Sequence, residues 1–402
     1  IKGKEHKISI SAPIIKIAIA AIAIGVVMML IAIATGLGLK EKIREKVTAF
    51  NGHVQIYNYD NNNSEVSVVP VSTVQDFYPE FKSVDGIVHI QAVATKAGII
   101  RTEETFEGII AKGVGKDYNW TPFNEFLIDG VLPNYSSDLN SDVLISKIMA
   151  NRLNLKVGDS FFSFFLRDDT IDKLPNQRKF TITGIFDSGF EEIDELYIFI
   201  DIRHIQRMNK WKDTEVGGFE VFLDSFDDID EKDIEIRSKT FSTLDNRTIK
   251  DKYYKIFEWI GLFDFNIALI IGIMIIVGGI NMITALLVLI LERTQMIGIL
   301  KALGTTNWSI RKVFLYNAAY LIAVGLFWGN LIGLGIIFIQ EKFRLFKFPN
   351  PKEYYIEYIP VSIDLWIILL LNAGVLLLCL LMLLIPSYII TRITPVKAIR
   401  FE

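Results

Sequence analysis

Four stretches of this chain carry no Asp, Glu, Lys or Arg over lengths that can cross a lipid bilayer: Ile17 to Leu39, Phe265 to Leu291, Val313 to Ile339 and Leu365 to Pro386. A hydrocarbon core about 30 Å thick takes roughly 20 helical residues. Helices at the surface of a soluble core keep a polar face, and these runs have none. They predict four spanning helices. Charged residues still make up 22% of the chain, so they crowd into the segments between.

Orientation follows from the lysines and arginines flanking the runs. Lys2, Lys4, Lys7 and Lys16, then Arg293, Lys301, Arg311 and Lys312, then Arg392, Lys397 and Arg400 fall on one side, against Glu5, Glu292 and Glu402. That side is expected to be cytoplasmic, with both termini on it. The loop between the third and fourth runs is mixed, with Lys342, Arg344, Lys347 and Lys352 against Glu341, Glu353 and Glu357. The chain opens at Ile1 rather than Met, so residues are expected to precede it.

Lys40 to Asp264 is far too long for a connector. "GHVQIYNY", "VHIQAVATKAGII", "FTITGIF", "ELYIFIDI" and "GFEVFLD" read as strands by their β-branched and aromatic content. "SKIMANRLNL" reads as a helix capped by Ser146, and Asp201 is placed to cap another. The predicted class is an α-helical membrane protein with four transmembrane helices and a large extracytoplasmic α/β domain inserted after the first. "GLGLKEKIREKVTAF" and "IKDKYYKIFEWIGLFDF" at its two ends predict stiff helical stalks.

Reactive chemistry is not evident. His6, His53, His89 and His204 are scattered, without a pair at metal-ligand spacing. "GVGKD" at Gly113 to Asp117 looks superficially like a phosphate loop. Ile110 stands where its first glycine should be, and Asp117 replaces the Ser or Thr, so it reads as a surface turn. Glu191, Glu192, Asp194 and Glu195 read as a solvated face or a strand-leading loop. The single cysteine, Cys379, lies in an apolar run and leaves no intrachain disulfide. A net charge of −4 speaks against a nucleic-acid surface. No catalytic residue, metal site or cofactor is expected on this chain.

"LERTQMIGILKALGTTNWSIRKVF" separates the second and third runs. Met296, Ile297, Gly298, Ile299, Leu300, Lys301, Ala302 and Leu303 form a short amphipathic helix that Gly304 is placed to end. An apolar helix of this kind suits a groove on another protein or interfacial packing. Gly325, Gly329 and Gly333, four residues apart, form a ridge for close helix packing, within the chain or at a dimer seam. Asn266 and Asn281 are expected to bond neighbouring helices.

"ERTQMIGILKALGTTNWSIRKVFLYNAA" resembles the coupling-helix region of the FtsX-like, MacB-type ABC transporter permeases. "IPSYIITRITPVKAIRFE" resembles that family's closing motif, and the four-span layout extends the likeness over nearly the whole chain. "FNGHVQI", "VLISKIMANRLNLKVGDSFFSF" and "ITGIFDSGFEEIDELYIFIDI" resemble the lipoprotein-releasing LolC/LolE branch.

The resemblance implies a MacB-like periplasmic core fold and a permease in the bacterial inner membrane. It implies extraction of lipoproteins by mechanical transmission, with ATP and Mg held by a separate LolD-like ATPase. Other implied partners are a second permease copy (in a homodimer, or a related permease), lipoprotein cargo, a LolA-like periplasmic carrier and membrane lipids. Met296 to Gly304 would then dock the ATPase. Leu166, Leu174, Pro175, Gln177 and Arg178 would form a carrier-binding hook, although the segment is shorter than usual and a plain hairpin tip is the alternative. Met29, Leu30, Ala34, Phe263, Phe265 and Leu269 would line a lipoprotein cavity. The rival readings are a MacB-like exporter of periplasmic peptides or small molecules and an FtsX-like regulator of cell-wall hydrolases.

The expected partition gives 1–48 to the first span and its stalk and 49–250 to the periplasmic domain. The second stalk and span take 251–292, and the coupling-helix loop takes 293–312. The third span is 313–339, a periplasmic loop 340–364, the fourth span 365–386 and a cytoplasmic tail 387–402.

Overall fold

The computed structural model describes residues 11–62, 64–102, 105–136, 138–166, 175–349, 356 and 358–392. The chain opens with a single helix, α1 (Ser11–Asn51). Strands β1 (Val54–Asn58), β2 (Val71–Ser72), β3 (Ile87–Arg101), β4 (Phe106–Val114), β5 (Leu127–Gly130) and β6 (Asp142–Ser146) follow. Next come α2 (Lys147–Leu153), β7 (Ser160–Phe165), β8 (Asn176–Phe186), α3 (Glu191–Asp194), β9 (Tyr197–Asp201) and α4 (Ile202–Asn209). The domain closes with β10 (Glu215–Val216), β11 (Gly218–Leu223), α5 (Ile229–Lys239), β12 (Leu244–Thr248) and α6 (Ile249–Lys252). Helices α7 (Tyr254–Glu292), α8 (Thr294–Ala302), α9 (Asn307–Phe343), α10 (Leu365–Ser387) and α11 (Ile389–Arg392) complete the described chain. The residues fall into two compact units: a helical unit (1–41, 259–347 and 358–402) and a sheet domain (42–258 and 348–357).

In the helical unit, α1, α7, α9 and α10 are long and apolar enough to cross a membrane. Their core includes Val26, Leu30, Met282, Leu286, Phe314, Ile322, Val375 and Leu383. Capping is local: the Thr306 hydroxyl accepts from Ser309 N at the start of α9, and Asp364 accepts from Trp366 N at the start of α10. Buried Gln340 ties the segment after α9 by donating to the carbonyls of Phe346 (3.0 Å) and Ile359 (2.8 Å).

The sheet domain is built on strands in the order β12-β1-β11-β3-β4-β9-β6-β8-β5, with β7 pairing both β3 and β8. β4–β9 and β6–β8 run parallel, and the other pairs are antiparallel. Ser146 caps α2 through Met149 N, and Asp201 caps α4 through Arg203 N, where the sequence places both caps. The last turns of α1 enter the domain's core, with Phe50 set among Phe123, Phe126, Phe186 and Phe199.

One expectation changes here and another narrows. The second stalk is not one stiff helix: α6 and α7 are separated at Tyr253, whose φ of −111° and ψ of 42° leave the helical region. Of the two readings of the acidic cluster, Asp194 takes the strand-leading one, directly before β9, and not the solvated face. It is buried, and its carboxylate accepts from Ser188 Oγ (2.6 Å) and Gly189 N (3.1 Å), folding the turn that leads into α3.

His53 gives the domain a pH response. Its Nδ1 accepts from Leu223 N at 3.1 Å, and burial holds the imidazole down to about 4. A neutral ring is required to accept that bond. The group's stability is fully present above pH 6.5 and is lost as pH falls through 4. Burial raises Asp194 to about 6, which acts oppositely by adding stability as pH drops. His53→Gln removes only the first effect. Between pH 7 and 5 its unfolding free energy should rise by about 2 kcal/mol relative to wild type, read by denaturant titration at both pH values.

Candidate functional site

Arg293 precedes helix α8 without giving a side-chain cap, and past the helix Gly304 turns to φ +88°. Thr305 N donates to Leu300 O and Gly304 N to Lys301 O, both at 3.0 Å, closing the last carbonyls in a Schellman arrangement. Glycine meets this backbone demand without the strain of a Cβ. Met296 (41% exposed), Ile299 (47%) and Leu303 (78%) lie along one side at helical spacing and form an apolar stripe open to solvent. Ala302 and Gly304 are also exposed. Ile297 and Gly298 are buried and Leu300 packs against the bundle core, so these three lie off the open stripe. Lys301 is turned to the end of the fourth span, where its Nζ donates to Ile390 O at 2.6 Å.

The three glycines of α9 lie against α1. A Cβ on Gly325 would stand 2.7 Å from Ile22 Cγ2, one on Gly329 2.7 Å from Val26 Cβ, and one on Gly333 2.9 Å from Leu30 Cδ1. Gly329→Leu should therefore destabilise the bundle by about 1–3 kcal/mol, seen as a lower Tm of the detergent-solubilised chain. An amide pair joins α9 to α10: Asn330 Nδ2 donates to Asn372 Oδ1 (2.6 Å), and Asn372 Nδ2 returns the bond at 3.0 Å. That pair is one interhelical polar contact of the bundle, in helices other than the one that carries Asn266 and Asn281. The sequence displays Asn330 and Asn372 in apolar runs but not their partnership.

The six residues expected to line one cavity are not brought together. Met29, Leu30 and Ala34 are buried in the bundle core, with Leu30 packed against Gly333 of the glycine ridge. Phe265 and Leu269 face outward, and Phe263 is half-buried with its ring 5.1 Å from that of Trp259.

The described hook residues lie just past the end of β7 and at the start of β8. β7 and β8 pair antiparallel from Ser160↔Thr181 to Phe165↔Asn176. Leu166, Pro175 and Gln177 are exposed and Arg178 is half-buried, while Leu174 lies outside the described residues. Among the described residues, no cluster of His, Cys, Asp and Glu is arranged to hold a metal ion. The cleft beside the end of α1 has a volume of about 80 Å³, and Lys112, Glu220, Glu65 and Lys252 on its wall pair with one another.

Residues 17–238 match the MacB-like periplasmic core domain, and residues 268–395 match the FtsX-like permease C-terminal family. The lipoprotein-releasing system transmembrane protein LolC of Haemophilus influenzae is 24% identical over 292 residues, which cover 71% of this chain and 69% of that protein. LolC of Xylella fastidiosa is 20% identical over 273 residues, and the match covers 65% of each chain. The chain thus spans about two thirds of the length of these relatives. Among solved structures, the extracellular domain of the noncanonic ABC-type transporter YknZ from Gram-positive bacteria aligns with 49% of this chain and 100% of its own. Its TM-score is 0.31 at 15% identity. With one family model covering more than half of its residues and a second covering its C-terminal spans, the chain belongs to the ABC transporter permeases that join a MacB-like periplasmic core domain to an FtsX-like C-terminal part.

Proposed function

We propose that this chain is the permease subunit of an ABC transporter that extracts lipoproteins from the inner membrane and passes them to a periplasmic carrier. The observation that carries the reading is the open stripe of Met296, Ile299 and Leu303 on α8, a surface shaped for a groove on a partner. In this reading the partner is a separate ATPase, both termini and α8 are cytoplasmic, and the sheet domain is periplasmic. Two copies, or this chain and a related permease, would frame the cargo path. The segment from Leu166 to Arg178 would meet the carrier. Similarity to proteins named for lipoprotein release supports the cargo class.

Energy is the physical reason for a mechanical device. Each buried acyl CH₂ holds a lipoprotein in the bilayer by about 0.8 kcal/mol, so removal far exceeds thermal energy. Force generated by ATP binding would enter at α8, and the unbroken α1 is suited to carry it to the sheet domain.

The test is purification of the full chain from its native membrane in mild detergent, with wild type compared against Ile299→Asp/Leu303→Asp. Recovery of an ABC ATPase with triacylated lipoprotein is expected from wild type. A charge pair in the stripe should lower ATPase recovery at least about tenfold while the permease stays in the membrane. Recovery of an outer-membrane tunnel or a cell-wall hydrolase without lipoprotein would replace the reading with the exporter or regulator one.

A further inference from the structure

The closing residues of the fourth span have no part in the account above, yet they hold α8. Lys301 donates from Nζ to Ile390 O (2.6 Å) and, at longer range, to Thr391 O (3.4 Å). Arg311, near the start of α9, donates from Nε to Ser387 Oγ (3.1 Å) and from Nη2 to Leu384 O (3.2 Å). Its guanidinium also stands 5.8 Å from the centre of the Tyr388 ring. Ser387 and Ile390 are wholly buried, so the bonds to them are partly shielded, while the bond to Leu384 O is exposed.

The chemistry suits a helix end. The final carbonyls of a helix lack intrahelical donors, and cations are favoured there. Two cations from different elements meet carbonyls at the ends of α10 and α11. A nine-residue helix such as α8 is marginal by itself, so contacts must fix its position. On its inward side those are Ile297 and Leu300 at the core and Lys301 on the closing segment.

We propose that Ser387 to Thr391 is a transmission element: Lys301 and Arg311 lock α8 and the start of α9 to the end of the fourth span, so that displacing α8 carries that span with it. Lys301 and Arg311 are positioning residues. The inference rests on the reading of α8 as the ATPase-docking helix.

The test places spin labels at Gln295→Cys on α8 and Ile389→Cys on α11, in full-length chain with Cys379→Ala, reconstituted in nanodiscs with its co-purified ATPase. The distance distribution between them should be narrow and unchanged when ATP is trapped. Lys301→Met should broaden or shift it, and Lys301→Arg, which keeps a charged donor, should restore it. Lipoprotein released per ATP hydrolysed should fall about fivefold or more in Lys301→Met and recover in Lys301→Arg. If Lys301→Met does not accumulate, Arg311→Met is read in its place with the same expectation. A wild-type distance that changes on ATP trapping, or a Lys301→Met distribution identical to wild type, overturns the proposal. Failure to recover any ATPase strikes the docking reading instead, and the resting distributions of the three chains alone still decide the tether.

Discussion

Phe50→Ala should destabilise the sheet domain by about 3–5 kcal/mol, the loss typical of a large aromatic deleted from a close-packed core. Phe50 is 2% exposed. Its ring lies 4.8 Å from Phe123 in an edge-on contact, 5.3 Å from Phe126 in a stacked one, and within 6.2 Å of Phe186 and Phe199. These partners come from the turn before β5, from β8 and from β9, so the ring joins strands that the sheet alone does not place side by side. Phe50 sits one residue before the end of α1, which makes the cluster the grip by which the domain holds that helix. Other contacts of the same turns are weaker. Lys46 donates to Ser188 O (2.6 Å), and the exposed pairs Lys42–Glu125 and Arg44–Asp227 are each worth about 0–1 kcal/mol. Hydrogen exchange of the β3 and β9 amides in the full chain reads the loss directly. Phe50→Leu should retain most of the protection. Unchanged exchange in Phe50→Ala would show that the helix end is seated by its polar contacts instead.

What the sequence revealed and withheld divides along physical lines. The spans were legible because a bilayer forbids unpaired backbone and charge over a fixed length, which writes long apolar runs into the chain. The strands β1, β3, β8, β9 and β11 were legible from β-branched and aromatic content. β4 was not, because Gly108, Lys112 and Gly113 interrupt its pattern. "GVGKD", read as a surface turn, in fact begins with the last two residues of β4. Its Asp117 then accepts from Ala92 N at 2.7 Å. The α8 segment announced itself by apolar spacing and a terminating glycine, but which residues face out depends on where the fourth span ends. The inward turn of Met29, Leu30 and Ala34 could not be read from α1, since a helix apolar all round carries no preferred face. The notch that Gly325, Gly329 and Gly333 cut in α9, where Ile22, Val26 and Leu30 of α1 come closest, shows one face that turns inward.

Removing either member of the Lys112–Glu220 pair should cost about 3–5 kcal/mol, because the partner is left as an uncompensated buried charge. The two are 5% and 2% exposed, with Nζ 2.6 Å from Oε1. Gln91 Nε2 donates to the other carboxylate oxygen at 2.9 Å, and Lys112 also donates to Phe50 O. The three side chains come from β11, β3 and β4, neighbours at the middle of the sheet. Removing both charges is a different experiment from removing one. In Lys112→Met/Glu220→Gln no charge is stranded, so the double variant should lose less than the sum of Lys112→Met and Glu220→Gln, by about 1–3 kcal/mol. Exchange of the β3 amides measures all four corners of the cycle, and additive losses would show that the pair contributes only as two independent side chains. A net gain in stability is not needed to account for such a pair. Side chains alternate between faces, so a one-residue slip of β4 against β3 would carry Lys112 away from Glu220. Keeping a charge that only the native pairing neutralises therefore penalises that slip. It also ties the register of three strands to the carbonyl of Phe50, where the first helix ends its run.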